Sequence, residues 1–154
     1  MDIKINCHSS ICVNDEIWFD PFRVDSGKAK YIFVTHSHWD HFSVDDIKKL
    51  LTNETKIVCP FSMKREVQNL FENEIVFVEP EKSYQIDDLM VDVIGSYNIT
   101  KQFHPKANGW VGYNVTIDGE EVLVVGDSDN TPELNQVKTD VLLVPIGGTY
   151  TMTV

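Results

Sequence analysis

Short apolar runs separated by polar turns divide the chain into strands and helices. Four runs have the composition of buried strands: residues 31–34, 56–59, 75–78 and 141–144. Between the first three runs, Ser43 is suited to cap a helix that extends to about Leu51, and residues 62–70 carry apolar side chains at helical spacing. This alternation predicts βαβ units around a partly parallel sheet.

Alternating apolar and polar positions predict antiparallel strands on both sides of this region. Near the start, short strands are predicted at residues 3–6, 11–13 and 16–19. Later in the chain, hairpins are predicted over residues 83–94 and 110–125, and the second turns at Asp118-Gly119. The polar stretch 96–109 between them is predicted to be a loop, and residues 132–136 a single helical turn.

The composition predicts one globular domain over residues 1–154. Hydrophobic residues make up 42% of the chain, which is ordinary for a protein with a buried core. No apolar run is long enough to span a bilayer, and the first residues lack the pattern of a signal peptide, so a cytoplasmic location is expected. The three cysteines form no C-x-x-C pair, which indicates neither a disulfide framework nor a thiolate zinc site.

The net charge narrows the choice of partners. With 24 acidic and 13 basic residues the chain carries a charge of −11, which disfavours binding to nucleic acid. A small anionic substrate is still compatible with this charge, because divalent metal ions in a pocket would outweigh the nearby carboxylates.

Three of the five histidines and one carboxylate lie within six positions, directly after a predicted buried strand. In an extended segment His36, His38 and Asp40 share one face, so the two imidazoles can reach one metal ion. His41 points elsewhere in that geometry, which a second metal ion would explain. The alternative is a helix in which His36 with Asp40, and Ser37 with His41, form surface pairs four residues apart.

Two further candidates also occur where predicted strands end or loops begin. His104 precedes a proline in the polar loop, and Asp127 follows the strand that ends near Val125. Taken singly, such a histidine is most often a surface residue, and such an aspartate a turn or cap residue. His8, in the first turn, is by the same reasoning expected to be structural. Convergence of His104 and Asp127 with residues 36–41 would instead make a metal centre.

Several stretches carry a family resemblance that extends from end to end of the chain. Residues 35–41, Thr-His-Ser-His-Trp-Asp-His, resemble the H-x-H-x-D-H signature of the metallo-β-lactamase superfamily. Further stretches are similar, in the same order, to the metal-dependent hydrolases akin to L-ascorbate-6-phosphate lactonase: His8-Ser9-Ser10, Asp20-Pro21-Phe22, Phe103-His104-Pro105-Lys106, Gly126-Asp127-Ser128-Asp129 and the segment 145–152 that ends in Gly-Gly-Thr-Tyr-Thr-Met.

The resemblance implies an α/β fold, the four-layer αββα sandwich of the superfamily, and a two-metal centre. One metal ion, zinc or alternatively manganese, would be held by His36, His38 and His104. Asp40 and His41 would hold a second ion and Asp127 would bridge the two. A metal-bound hydroxide, oriented by Asp40, would then attack a small ester, lactone or phosphate-containing substrate.

The chain departs from the family pattern at its end. Relatives continue beyond the Gly-Gly-Thr-Tyr-Thr-Met segment and supply a last histidine to the second metal site, and no histidine follows His104 here. The resemblance therefore implies a C-terminally shortened sandwich with a weak second site. An apolar sheet face would be exposed, which a homo-oligomer would cover unless the chain is a truncated form.

The sequence thus predicts a metal-dependent hydrolase that acts on a small molecule. Two alternatives stay open. One is a non-catalytic or degenerate metal-binding relative with the same fold. The other, disfavoured by the acidic charge, is a nuclease.

Overall fold

A computed structural model describes residues 1–99, 101–148 and 150–152. The chain divides into two compact units, Met1–Phe77 and Val78–Val154, and each is described by itself. The single-domain organisation expected from the length stays a prediction. No helix in the described ranges is long and apolar enough to cross a membrane.

A six-stranded sheet contains β1 to β6 in sequence order. These strands are Ile3–Cys7, Ser10–Val13, Ile17–Phe19, Tyr31–Phe33, Lys56–Pro60 and Ile75–Val78. The pairs β1–β2 and β2–β3 are antiparallel, whereas β3–β4 and β4–β5 are parallel. The predicted strands and the partly parallel sheet are confirmed. Because β3 and β4 are parallel neighbours, the residues that follow both strands emerge at the same edge of the sheet.

Two helices cover one face of this sheet. Helix α1, Val44–Leu50, begins at the predicted cap, where the Ser43 side chain accepts a hydrogen bond from the N–H of Asp46. Helix α2, Lys64–Val67, follows a 3-10 turn at Phe61–Met63. Alternate strand residues pack with apolar residues of both helices in one buried cluster: Trp18, Ile32, Ile57 and Cys59 with Ile47, Leu50, Met63 and Val67.

The second helix is shorter than predicted. A helix over residues 62–70 was expected from apolar spacing, but the backbone leaves the helical region at Gln68, with ψ of 127°. Asn69 then adopts a left-handed conformation, with φ of 67°. Three apolar positions are enough to mark a helix face but carry no signal for its end, which depends here on the chain turning back toward β6.

The second unit contains a five-stranded sheet in the order β11-β10-β9-β8-β7. Its strands are Lys82–Ile86, Leu89–Gly95, Val111–Ile117, Glu120–Val124 and Val141–Leu143. Both predicted hairpins are present, as β7–β8 and β9–β10, and β11 is parallel to β10. Helix α3, Pro132–Asn135, is the predicted single turn and is capped by the Thr131 side chain.

An apolar depression of about 310 Å³ lies beside α3 and the edge strand β11. Leu142 on that strand is 54% exposed. The lining includes Leu123, Leu134, Val137, Leu142, Val144 and Met152. Apolar side chains thus line a depression at this edge of the second sheet.

We expect Gly112→Ala to destabilise the second unit. A Cβ at Gly112, within β9, would lie 2.8 Å from the carbonyl oxygen of Val125 and 2.9 Å from that of Val124, and these backbone atoms cannot move aside cheaply. The free energy of unfolding should fall by about 1–3 kcal/mol, measured by denaturant titration. Gly119→Asn, in the β9–β10 turn with nothing near its Cβ, should cost less. Equal losses would contradict the steric explanation.

Candidate metal centre

The histidine segment begins where β4 ends and finishes where α1 begins. The N–H of Val34 still donates to Val58, so the chain leaves the sheet just before Thr35. At His38 the backbone turns, and its carbonyl accepts hydrogen bonds from the N–H groups of His41 and Phe42, at 2.9 and 2.8 Å. The segment is therefore extended only as far as His38, and a tight turn leads into the helix.

This turn corrects one prediction. The rings of His36 and His38 lie with their centroids 4.8 Å apart, as the extended segment predicted. The prediction that His41 points away from them was wrong, because its ring lies 4.1 Å from that of His36. The prediction assumed that the extended backbone continues to His41, but the backbone turns after His38. Asp40 is part-buried, with one carboxylate oxygen 3.8 Å from Nε2 of His41.

A buried carboxylate supports this group of rings from behind. Asp20 follows β3 and is 0% exposed. One of its oxygens accepts from the N–H of Thr35 at 2.8 Å, and the other from the Thr35 hydroxyl at 2.6 Å. The second oxygen also lies 2.8 Å from Nδ1 of His41. Asp20, His36 and His41 offer ligand-type atoms that all lie within 4.8 Å of one another.

These hydrogen bonds decide which ring nitrogen carries a proton. The Asp20 carboxylate can only accept, so Nδ1 of His41 must donate to it. The single hydroxyl proton of Thr35 goes to Asp20, so Nδ1 of His36, 2.9 Å from that hydroxyl, must donate to the Thr35 oxygen. Each ring in its neutral form then has its lone pair on Nε2. That tautomer is the one in which Nε2 can bind a metal ion.

Asp20 was not predicted to be a functional residue, and it was named only within a stretch that resembles the family. The sequence does contain a signal for this role. Asp20 is an acidic residue directly after β3, and residues that follow two parallel neighbouring strands, here Asp20 after β3 and Thr35 and His36 after β4, lie at the same edge of the sheet. The sequence suggests a parallel sheet but not that β3 and β4 are the neighbours. This pairing, Phe19 with Phe33, is what brings Asp20 to Thr35.

A second carboxylate fixes the loop that follows Asp20. Asp46, in the first turn of α1, accepts hydrogen bonds from the backbone N–H groups of Arg23 and Val24 at 3.0 and 2.9 Å. The Ser43 hydroxyl and the Lys49 ammonium also donate to it. Burial alone would raise the pKa of Asp46, but these hydrogen bonds outweigh it and hold the pKa below its ordinary value.

In the second unit His104 and Asp127 lie together. Nε2 of His104 is 3.1 Å from a carboxylate oxygen of Asp127. His104 is 4% exposed and adopts a left-handed backbone conformation, with φ of 57°. Its carbonyl accepts from the N–H of Asn98 at 2.8 Å. Asp127 comes directly after Gly126, whose φ of 73° turns the chain as it leaves the second sheet.

Two loops of the second unit hold this pair in place. The hydroxyl of Ser128 accepts from the N–H of Tyr97, and the carboxylate of Asp129 accepts from the N–H of Ile99 and from Lys101. Burial tends to raise the pKa of Asp129, but these last two bonds prevail and lower it. The loop that carries His104 is thereby tied to the loop that carries Asp127.

The segment at 145–152 is attached to the same two loops. The N–H of Met152 donates to Ser128 at 3.0 Å, and the amide of Asn98 donates to the carbonyl of Tyr150 at 2.5 Å. Of the predicted Gly-Gly-Thr-Tyr-Thr-Met motif, Thr149 lies outside the described residues. This motif therefore serves as a brace for the loops of His104 and Asp127.

Comparison with known proteins identifies the family. The sequence profile of the β-lactamase superfamily domain matches residues 5–154. The chain belongs to the β-lactamase superfamily. Among curated superfamily relatives, a UPF0173 metal-dependent hydrolase of Archaeoglobus fulgidus is 26% identical over 86% of the chain and 60% of its own length. A UPF0173 protein of Pyrococcus furiosus is 29% identical over 96% of the chain and 70% of its own length.

A solved structure supports the same fold. A candidate metal-dependent hydrolase from Parabacteroides distasonis superposes with a TM-score of 0.84, at 24% identity, over 98% of this chain and 72% of that one. The α/β fold of the metallo-β-lactamase type predicted from the motifs is thereby confirmed. The chain spans 60% of the length of the Archaeoglobus relative and 72% of the Parabacteroides structure. The lactonase-like branch and a shortened C-terminus stay predictions.

We expect Asp46→Asn to destabilise this superfamily member in a pH-dependent way. Because the folded pKa is lowered, the stability from Asp46 is present above the ordinary value of 3.8 and is lost as pH falls through the folded pKa. At neutral pH the variant should lose about 1–3 kcal/mol of unfolding free energy, and the difference should shrink below that value. Asp45→Asn, exposed in the same helical turn, should show no comparable loss. A pH-independent difference would contradict the role of the Asp46 charge.

We expect Asp20→Asn to change the tautomers of two histidines without unfolding the first unit. An asparagine side chain has one acceptor oxygen and a donating NH2 group, so it cannot accept both hydrogen bonds from Thr35 and the one from Nδ1 of His41. The Thr35 hydroxyl and Nδ1 of His41 then lose their fixed acceptors, and the Nδ1–H forms of His36 and His41 are no longer enforced. Nitrogen-15 spectra of histidine-labelled, metal-free protein should show mixed tautomers in the variant and Nδ1–H forms in the wild type. Zinc affinity should fall by about 10–100-fold. Unchanged spectra would remove Asp20 from this role.

Proposed function

We propose that the chain is a metal-dependent hydrolase. The observation that carries the proposal is the Asp20–Thr35 hydrogen-bond pair, which directs Nε2 of His36 and His41 to act as ligands. Histidines that bind metal ions usually donate their other ring N–H to a carboxylate or another acceptor. The buried Asp20 carboxylate and the Thr35 hydroxyl accept such hydrogen bonds from these two neighbouring imidazoles. Membership of the superfamily, and the hydrolase names carried by its relatives, support the same conclusion.

The donor atoms fit zinc. Imidazole nitrogens and carboxylate oxygens are its common protein ligands, and they also suit manganese. We assign His36, His38 and His104 to one ion, Asp40 and His41 to a second, and Asp127 to a bridge between them. When bound, such ions would lower the pKa of a water molecule and polarise the group under attack.

The residues of the chain have distinct tasks in this proposal. Asp20 and Thr35 orient two rings and hold their Nδ1 protons, so the rings do not rotate on binding. Asp40, whose side chain is 29% exposed, would orient the attacking hydroxide. Asp127 contacts His104, and both residues lie on loops of the second unit that hydrogen bonds tie together. These loops fix the position of Asp127.

The proposed substrate is a small ester, lactone or phosphate-containing molecule. The charge of −11 argues against a polynucleotide, as noted above. A lactone specificity follows only from the sequence resemblance. We propose a cytoplasmic location on the basis of three free cysteines, and association of chains over the exposed edge near Leu142.

Metal analysis tests the proposal directly. Protein purified without chelators should contain at least one zinc or manganese ion per chain by elemental analysis. His36→Ala should lose that ion. Asp127→Ala should lower hydrolysis of generic ester, lactone and phosphodiester substrates by at least about 100-fold.

A matched control separates the site from general acidity. Asp88→Asn removes an exposed carboxylate from the β7–β8 turn and should leave both metal content and turnover unchanged. Absence of any metal from the wild-type protein would refute the assignment. Bound metal without turnover on any substrate would favour the non-catalytic alternative.

A further inference from the structure

An aromatic cluster lies beside the histidine segment and has no part in the proposed metal binding. The ring of Phe22 is 7% exposed, and three side chains pack around it. His8 and Trp39 place their rings 5.4 and 5.5 Å from its centroid, and the guanidinium carbon of Arg23 lies 5.0 Å from it. We call these four residues the Phe22 cluster. Trp39 stands between His38 and Asp40 in the sequence, so the cluster adjoins the proposed ligands.

Trp39 is unusually open for so large a side chain. It is 71% exposed, and the ring of Phe22 contacts it at an interplanar angle of 69°. A buried ring therefore supports the indole, while most of the indole surface remains accessible. Such an anchored aromatic surface can stack against an apolar or planar group at little cost in side-chain entropy.

Arg23 carries a charge that nothing in the described part of the chain neutralises. Its guanidinium stacks on Phe22 and makes no hydrogen bond or ion pair with any described residue. The chain has 24 acidic residues, and yet the nearby carboxylate of Asp46 binds the backbone N–H of Arg23 rather than its side chain. Five N–H donors in a fixed fork are thus available to an oxyanion.

The backbone holds this arginine in an unfavourable conformation. Arg23 has φ of 53°, and His8 has φ of 52°, although neither is glycine. The side-chain amide of Asn6 donates to the carbonyls of Phe22 and Arg23, and Asp46 accepts from the N–H of Arg23. Hydrogen bonds on both sides of Arg23 thus hold its backbone in a strained conformation. Such strain indicates that the side chain of Arg23 has a function.

We propose that the Phe22 cluster is a substrate subsite for an oxyanion, a carboxylate or a phosphate, attached to an apolar or planar body. Arg23 binds the oxyanion through its fork, His8 is a second polar contact, and Trp39 stacks on the body. The inference rests on the proposed function only in assuming that the bound molecule is presented to the adjacent ligands. It narrows the substrate to an ester or lactone that carries a separate anionic group.

Indole NMR signals provide a direct test. The chain has three tryptophans, and Trp39→Phe identifies the signal of Trp39 in nitrogen-15 spectra. Phenyl phosphate and benzoate are titrated into the protein as purified and into a chelator-treated sample, with phenol and inorganic phosphate as partial probes. We expect saturable shifts of the Trp39 signal with phenyl phosphate or benzoate in both samples, and weaker binding of either partial probe.

Arginine variants decide the outcome. Arg23→Gln should weaken binding about tenfold, and Arg23→Lys, which keeps the charge but not the fork, should weaken it less. The control Arg65→Gln removes the other arginine, exposed on α2, and should change binding less than about twofold. Thermal unfolding checks that each variant is folded, and Trp39→Ala, followed by calorimetry, provides a second test of the same subsite.

The contrary results are distinct. Equal weakening in Arg23→Gln and Arg65→Gln would show a general charge effect, and binding seen only before chelation would place the oxyanion on a metal ion. Either outcome overturns the subsite. Arginine-dependent binding to protein that contains no metal as purified, before any chelator is added, would instead leave the subsite intact and refute the hydrolase assignment.

Discussion

The hydrogen-bonded Asp20 carboxylate is the interaction on which the histidine segment depends. It is fully buried, and a buried charge is tolerated only where hydrogen bonds replace its water. Within the described part of the chain, this carboxylate accepts hydrogen bonds from the segment that follows β4, two from Thr35 and one from His41. Strand pairing and ligand orientation are therefore coupled. The parallel alignment of β3 with β4 brings the carboxylate to the histidines, and the histidines in turn satisfy the carboxylate.

The His104–Asp127 pair of the second unit is held in place by other means. His104 and Asp127 lie on loops, and irregular backbone has no ladder of its own to hold it. Side chains take that role, through Asn98, Ser128 and Asp129. The segment at 145–152 completes the brace, which gives a structural reason for a motif whose residues include no metal ligand in the proposed assignment.

Periodic patterns predicted most of the fold but not the contacts that orient the histidine rings. Strands such as β4 and β9 and the cap at Ser43 are local features, so their signals lie within a few residues. The end of α2, the position of His41 and the role of Asp20 could not be predicted in the same way. Each depends on contacts set by a turn or by residues some 15 to 21 positions away in sequence. The gathering of His36, His38, His104 and Asp127 on one metal ion is expected from the family resemblance alone, and it remains a proposal.

Positive backbone angles at residues other than glycine have a consequence for how the family can diverge. Asn and Asp accept this conformation readily, whereas it is strained for Arg23 and costs His8 and His104 more than it would cost glycine. Replacement by glycine at these positions would relax the backbone and remove a functional group at the same time. A relative that no longer uses the site can therefore tolerate glycine at these positions, whereas a relative that still depends on the site cannot. These three positions can therefore serve as markers that distinguish relatives retaining the chemistry from those retaining only the fold.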